Sequence, residues 1–189
     1  VAKRAGRSTV VLSIAAGKTI SGFARHLPPE TAIIRAMPNT PTAIGKGITG
    51  AVGNRHVLTS QKAACDALLG AVGDVVWVDD EALIDAVTAV SGSGPAYVFL
   101  MTECLASAGR AAGLDAEIAM KLARATVTGS GALMDASPLD TTTLRQNVTS
   151  PGGTTAAALS VLMREPGGLK DLMTEAVAAA KKRGRELGA

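Results

Sequence analysis

The chain runs to 189 residues, of which 47% are hydrophobic, 19% charged and only 2% aromatic. That length and apolar content exclude a disordered tail and suit one large or two small domains, while the scarcity of aromatics excludes base-stacking platforms and demands a core of Ala, Val, Leu, Ile and Met. The formal net charge of +3 is mild, and its densest cluster, Lys181, Lys182, Arg183 and Arg185, suits the dipole-negative end of a last helix, so no nucleic-acid partner is expected.

The opening Val-Ala-Lys-Arg-Ala-Gly-Arg has no Met and leads almost at once into an apolar run, which reads as a chain entered part-way through. Short β-branched runs predict strands over residues 9–13, 32–35, 48–52 and 75–78. Before the last of these, Ala63, Ala64, Ala67, Leu68 and Ala71 share one face of a helix predicted over residues 60–72. Strand and helix alternating at this spacing indicate the later part of an α/β sheet. Asp79 and Asp80 are placed to cap a helix that starts at Glu81.

No further strand is expected after that point. Tyr97, Leu100, Met101, Cys104, Leu105 and Ala108 recur at helical spacing until Gly109 or Gly113 stops them. Asp115 can cap a second helix carrying Ile118, Leu122, Ala125, Gly129 and Leu133. A third helix begins near Thr155, and a fourth covers residues 169–187 with Leu172, Met173, Ala176 and Ala180 inward. Four helices on short connections leave an apolar stripe in need of a partner, and an intertwined dimer supplies one. The division falls near residue 80, with an α/β part over residues 1–80 and an all-helical part over residues 81–189.

Cys65 and Cys104 are far apart with no CxxC, which fits a reducing compartment and buried small hydrophobes. No apolar run is read as long enough for a membrane span and no signal peptide is present, so a soluble, cytoplasmic protein without a membrane partner is expected.

Two motifs mislead. Gly17-Lys18-Thr19 resembles the end of a P-loop, but the phosphate-wrapping loop needs a Gly where Leu12 stands. Gly45-Lys46-Gly47-Ile48-Thr49-Gly50 spells GxGxxG, yet a dinucleotide fingerprint requires a strand before it and a helix after it, whereas a strand follows here. His26 and His56 have no partners at ligand spacing, so no metal is expected. No G-x-S-x-G supports a serine hydrolase. Gly92-Ser93-Gly94-Pro95 reads as a helix start with Pro95 in the first turn.

Asn147-Val148-Thr149-Ser150-Pro151-Gly152-Gly153-Thr154-Thr155, leading into Ala156-Ala157-Ala158-Leu159, is the strongest signal. Hydroxyls and glycines just ahead of an apolar helix form an end whose unpaired N–H groups suit a carboxylate or phosphate. A capped loop between helices explains the same residues, and the residues alone leave both readings open.

That block closely resembles the pyrroline-5-carboxylate reductase family, as does Asp85-Ala86-Val87-Thr88-Ala89-Val90-Ser91-Gly92-Ser93-Gly94-Pro95-Ala96-Tyr97. Ser13-Ile14-Ala15-Ala16-Gly17 and Met37-Pro38-Asn39-Thr40-Pro41 match it in the same order. The resemblance covers essentially the whole chain. It implies hydride transfer from NADPH or NADH to the C=N carbon of 1-pyrroline-5-carboxylate, the last step of proline biosynthesis. It also implies a Rossmann-like dinucleotide-binding domain, only partly present over residues 1–80, and a helical dimerisation and substrate-binding domain over residues 81–189, in a homodimer or larger homo-oligomer.

By the same resemblance, the Thr155 hydroxyl is the catalytic group that holds or protonates the imine nitrogen. The N–H groups of Gly153, Thr154 and Thr155 grip the substrate carboxylate, with Gly152, Ser150 and the backbone near Val148 completing the pocket. Ile14, Ala15 and Ala16 line the nicotinamide end, and Asn147 reaches the cofactor from the partner subunit. Asn39 matches a cofactor-contacting position, although an Asn between two prolines also builds a turn. The family's pyrophosphate fingerprint lies ahead of everything present here, so this chain by itself is expected to bind the dinucleotide poorly. Where many relatives carry a Glu ahead of the Asn-Val-Thr-Ser block, this chain has Ser137-Pro138. Two other classes remain as alternatives: a non-catalytic helical dimerisation module, and a reductase of another imine or of a β-hydroxy acid.

Overall fold

The computed structural model describes residues 9–188; the opening segment that reads as a mid-chain entry lies outside them. Four strands form one sheet: β1 (Val10–Ser13), β2 (Ala32–Pro38), β3 (Gly47–Gly53) and β4 (Gly73–Trp77), side by side in that order. β1 and β2 run parallel, as do β3 and β4, but β2 and β3 are antiparallel. The reversal follows from chain length. A parallel return needs a crossover of about a dozen residues, and the link from β2 to β3 holds only a 3-10 helix, Thr40–Ile44. The parallel pairs are joined through helices α1 (Ile20–Ala24) and α2 (Thr59–Gly70).

Alternation along β2 sends its side chains to two covered faces. Ile34 and Ala36 pack with Ala51, Cys65 and Leu69, placing α2 on one face, while Val10, Leu12, Val57, Val75 and Trp77 close the margin of that core. On the other face Arg35 meets Glu81. Gly50 lies there too, where any Cβ would overlap the Val87 side chain. The helical segment from Glu81 therefore lies on the sheet. Asp80 caps it, accepting from the N–H of Ala82 at 2.9 Å, and it winds as a 3-10 turn (Glu81–Leu83), an α-turn α3 (Ile84–Val87) and a π-turn (Thr88–Gly92).

Five helices follow: α4 (Gly94–Ala111), α5 (Ala116–Ala136), α6 (Thr141–Asn147), α7 (Thr154–Leu162) and α8 (Leu169–Gly188). Asp115 caps α5 by accepting from the N–H groups of Glu117 and Ile118. Gly113, at φ +101°, makes the turn before it. Sequence periodicity misses α6, a short helix begun by three threonines, which have weak helix propensity. What starts it is Asp140, whose Oδ1 accepts from Thr142 and Thr143 N–H groups at 2.9 and 3.1 Å.

Contacts divide the chain into two compact units. One comprises the residues up to Pro95 and those from Ala176 onward, and the other is Ala96–Glu175. The helices of the second unit leave uncovered the stripes that periodicity reads as core. Leu100, Met101, Cys104 and Leu105 of α4 are exposed, as are Ile118, Leu122 and Leu133 of α5. The residues they bury are small: Ala106, Ala119 and Ala123. At Gly109 a Cβ would come within 3.4 Å of the Ala119 Cβ, so this position brings the two helices close. Cys65 is buried as expected, whereas Cys104 is not.

One expectation is corrected here. The run Glu81–Ala111, which contains an 18-residue window of mean hydropathy 1.3, is long and apolar enough to cross a membrane by length and composition. Reading Gly92-Ser93-Gly94-Pro95 as a break splits that run, but the helical backbone reaches Gly92 in a π-turn and resumes at Gly94.

Candidate active site

The block from Asn147 to Thr155 forms the tip of a helical hairpin. α6 ends at Asn147, and the Thr149 N–H and hydroxyl turn back onto the carbonyls of Gln146 and Arg145, at 2.9 and 2.6 Å. The next four residues make a tight turn, with the Gly153 N–H donating to the Ser150 carbonyl at 3.0 Å. Pro151 and Gly152, the latter at φ +71°, take the central positions that a type II turn requires. Gly153 lacks a side chain for another reason, since a Cβ there would overlap the Ser150 hydroxyl.

α7 then starts with Gly153 as its N-cap and no side chain capping it. The first carbonyl bonded within the helix is that of Gly153, to the Ala157 N–H. The N–H groups of Thr154, Thr155 and Ala156 thus point out of the helix end without a partner among the described residues, where the dipole favours an anion. The Gly153 N–H, which the resemblance puts in the carboxylate grip, closes the turn in this chain. Ala156 contributes an N–H that motif reading missed, and the signal for it is helix register: the third residue after the cap is always open unless a side chain fills it. Thr155 is half-buried, and its hydroxyl has no hydrogen-bond partner among the described residues. Asn147, Val148, Ser150, Gly152 and Thr154 are exposed around it. Along the flank of the hairpin runs an apolar groove of about 410 Å³, lined by Arg145, Gln146, Thr149, Ala156, Leu159, Ser160 and Met163.

Asp140 caps the first helix of the hairpin. Its carboxylate accepts from the Thr143 hydroxyl at 2.7 Å as well as from backbone N–H groups. The Thr143 hydroxyl, followed by these N–H groups, holds the Asp140 carboxyl below the usual aspartate range.

The candidate cofactor residues of the α/β part form a second group. Ile14, Ala15 and Ala16 are exposed and directly follow β1, at the carboxyl end of a parallel strand, where open α/β sheets bind dinucleotides. The Ala15 N–H donates to the Ser13 hydroxyl at 3.3 Å. Asn39 builds a turn: its carbonyl accepts from the Thr42 N–H and hydroxyl, and its Oδ1 accepts from the Ile48 N–H at 2.9 Å. Ile14, Ala15, Ala16 and Asn39 belong to the first compact unit, and Asn147 and the α7 end to the second.

The two misleading motifs have structural explanations. Thr19 caps α1, accepting from the Gly22 N–H at 3.1 Å, and Gly45 ends the 3-10 helix at φ +69°. Among the described residues, no group of three or more His, Cys, Asp or Glu side chains is placed to hold a metal ion.

Residues 81–187 match the family model described as pyrroline-5-carboxylate reductase dimerisation. The chain belongs to the pyrroline-5-carboxylate reductase family. It is 48% identical to the pyrroline-5-carboxylate reductase of Synechocystis over 95% of this chain and 66% of that protein, and 40% identical to that of Pseudomonas aeruginosa over 94% and 64%. Among solved structures, the Coxiella burnetii pyrroline-5-carboxylate reductase superposes with a TM-score of 0.89 at 41% identity, over 95% of this chain and 66% of that one. The Plasmodium falciparum enzyme with NADP bound gives 0.81 at 32% identity, over 96% and 72%. The chain therefore spans just under two thirds of the length of the curated relatives it matches. The fold class is that of the family, an α/β part with a mixed Rossmann-like sheet followed by a helical dimerisation domain.

Proposed function

We propose that this protein reduces 1-pyrroline-5-carboxylate to proline with NADPH or NADH. The observation that carries the reading is the open end of α7, with three N–H groups and the Thr155 hydroxyl unpaired among the described residues, in a chain 40–48% identical to reductases of that name over nearly all its length. A cyclic imine acid needs its carboxylate fixed and its ring nitrogen given a hydrogen bond or a proton. The N–H groups of Thr154, Thr155 and Ala156 suit the carboxylate, and the Thr155 hydroxyl suits the nitrogen. Ser150, Gly152, Gly153 and Val148 shape the approach. The dinucleotide supplies the hydride when bound. Ile14, Ala15 and Ala16 fit its nicotinamide end because they lie exposed at the carboxyl end of β1, and Asn39 and Asn147 are assigned to it as well.

The reading includes a functional boundary at residue 80, between a cofactor part over residues 1–80 and a substrate and dimerisation part over residues 81–189. A second copy of the chain covers the exposed stripes of α4 and α5, in a homodimer or larger homo-oligomer. It also assigns the apolar run Glu81–Ala111 to that interface and to the sheet, places the protein in the cytoplasm, and includes no nucleic-acid or membrane partner.

The test is pyrroline-5-carboxylate-dependent oxidation of NADPH and of NADH, by this chain and by a version extended to the relatives' length. Turnover in the extended version supports the reading. Absence of turnover in both, with an intact dimer, favours a helical dimerisation module without catalysis, and turnover only on another imine or on a β-hydroxy acid reassigns the substrate.

A further inference from the structure

Arg35 sits on β2 with its side chain only 8% exposed, and its Nη1 lies 3.0 Å from Glu81 Oε1. An arginine so buried is costly unless paired. The pair does more than neutralise it. The same Glu81 oxygen accepts the N–H of Ile20 at 2.8 Å, and Ile20 is the first residue of α1, directly after the cap Thr19. Across the sheet, the register partner of Arg35 is Ser13, the last residue of β1, and the Ser13 hydroxyl accepts the N–H of Ala15. The connection between β1 and α1 is therefore held at its entry by Ser13 and at its exit by Glu81, and both anchors refer to one residue of β2. Between them Gly17, at φ +69°, turns so close to the end of α8 that a Cβ would lie 3.1 Å from the Leu187 carbonyl oxygen.

We propose that Glu81 and Arg35 are positioning residues for hydride transfer, the Glu81 carboxylate that Arg35 holds fixing the segment of residues 14–19, whose Ile14, Ala15 and Ala16 meet the nicotinamide end. The assignment of that segment to the cofactor rests on the proposed reductase activity, whereas the clamp rests on the hydrogen bonds alone. Hydride transfer tolerates little error, since misplacement by about 1 Å costs on the order of 100-fold in rate. Ile14, Ala15 and Ala16 are exposed, so little packing holds them and the two anchored ends of the segment set where they lie.

Two substitutions separate the clamp from the folding role of the ion pair. Glu81→Gln keeps an acceptor but removes the charge. Ile20→Pro deletes the N–H that Glu81 accepts, along with the isoleucine side chain, without disturbing the helix start: proline is at home in the first position of a helix, and Thr19 before it is already extended at φ −89°, ψ 158°. Ile20→Ala, which keeps the N–H, controls for the lost side chain. Hydrogen exchange over residues 14–22 is measured in this chain, and steady-state kinetics with both substrates varied are measured in the version extended to the relatives' length. The expected result is exchange at least about tenfold faster over that segment in Glu81→Gln and Ile20→Pro, with β2 and β3 still protected. With it comes a fall of roughly 10- to 100-fold in kcat/KM for the dinucleotide and an unchanged KM for the imine. Wild-type exchange in both variants overturns the clamp. Faster exchange with unchanged kinetics overturns the positioning role. An inactive wild type with faster exchange in the variants removes the reductase reading, and the role in hydride transfer with it, while leaving the clamp in place.

Discussion

Gly73 and Gly47 face each other at the start of the β3–β4 ladder, and a Cβ on Gly73 would overlap the Gly47 carbonyl oxygen. Gly73 also holds φ +147°, a conformation that side chains rarely adopt. The substitution Gly73→Ala is expected to cost about 2–4 kcal/mol, combining backbone strain with a clash that only a shift of β3 relieves. A urea or guanidinium titration whose unfolding free energy falls by that amount checks it, and a midpoint within experimental error of wild type would show that the strand ends separate freely.

Thr155 is the half-buried hydroxyl at the open end of α7. On the proposed mechanism, Thr155→Ala lowers kcat/KM by roughly 10- to 100-fold, about 1.4–2.8 kcal/mol of transition-state stabilisation. Thr155→Ser keeps the hydroxyl and recovers most of the rate. Equal rates for wild type and Thr155→Ala would remove the hydroxyl from the chemistry.

The Asp140 cap makes the α6–α7 hairpin sensitive to acid. Its carboxyl is held low in the folded chain by the Thr143 hydroxyl and neighbouring N–H groups, so between the unfolded and folded values the unfolded state binds more protons. The stabilisation is complete above the ordinary aspartate range and is lost as pH falls through the depressed folded value. The Thr142 and Thr143 amide resonances should titrate together in that acid range. Asp140→Asn keeps a cap acceptor but abolishes that titration; amide shifts that still titrate in the variant would assign the effect to another group.

Leu100 of α4 and Leu122 of α5 are 59% and 51% exposed in the single chain. If a second copy covers them, Leu100→Glu or Leu122→Glu buries an unpaired charge at that interface, weakening association by more than about 100-fold. Sedimentation velocity should then find monomer where the unsubstituted protein is a dimer. A dimer that survives both substitutions would place the interface on other helices.

Legibility varied with how local the determining physics was. The four strands fall where the β-branched runs put them, because alternation is a property of neighbouring residues. β2 nonetheless runs on to Pro38: pairing of Ala36, Met37 and Pro38 with Ala51, Gly50 and Thr49 lengthens it beyond its apolar run. Asp115 and Asp80 were readable as caps for the same local reason. Asp140 was equally available, but the three threonines after it concealed the helix. The turn at Ser150-Pro151-Gly152-Gly153 is also local, yet which N–H groups it consumes emerges only once its hydrogen bond is drawn.

The sequence by itself determined the family, the strand and helix alternation, the change to an all-helical second half and the block that carries Thr155. Each depends on residue identity and on spacings of a few residues. Tertiary structure alone decided that β2 and β3 run antiparallel, that Arg35 and Glu81 meet from positions 46 residues apart with the Glu81 carboxylate also accepting from the Ile20 N–H, and that the stripes of α4 and α5 stay uncovered within one chain. Periodicity states which face of a helix is apolar, but what covers that face depends on contacts between residues distant in sequence.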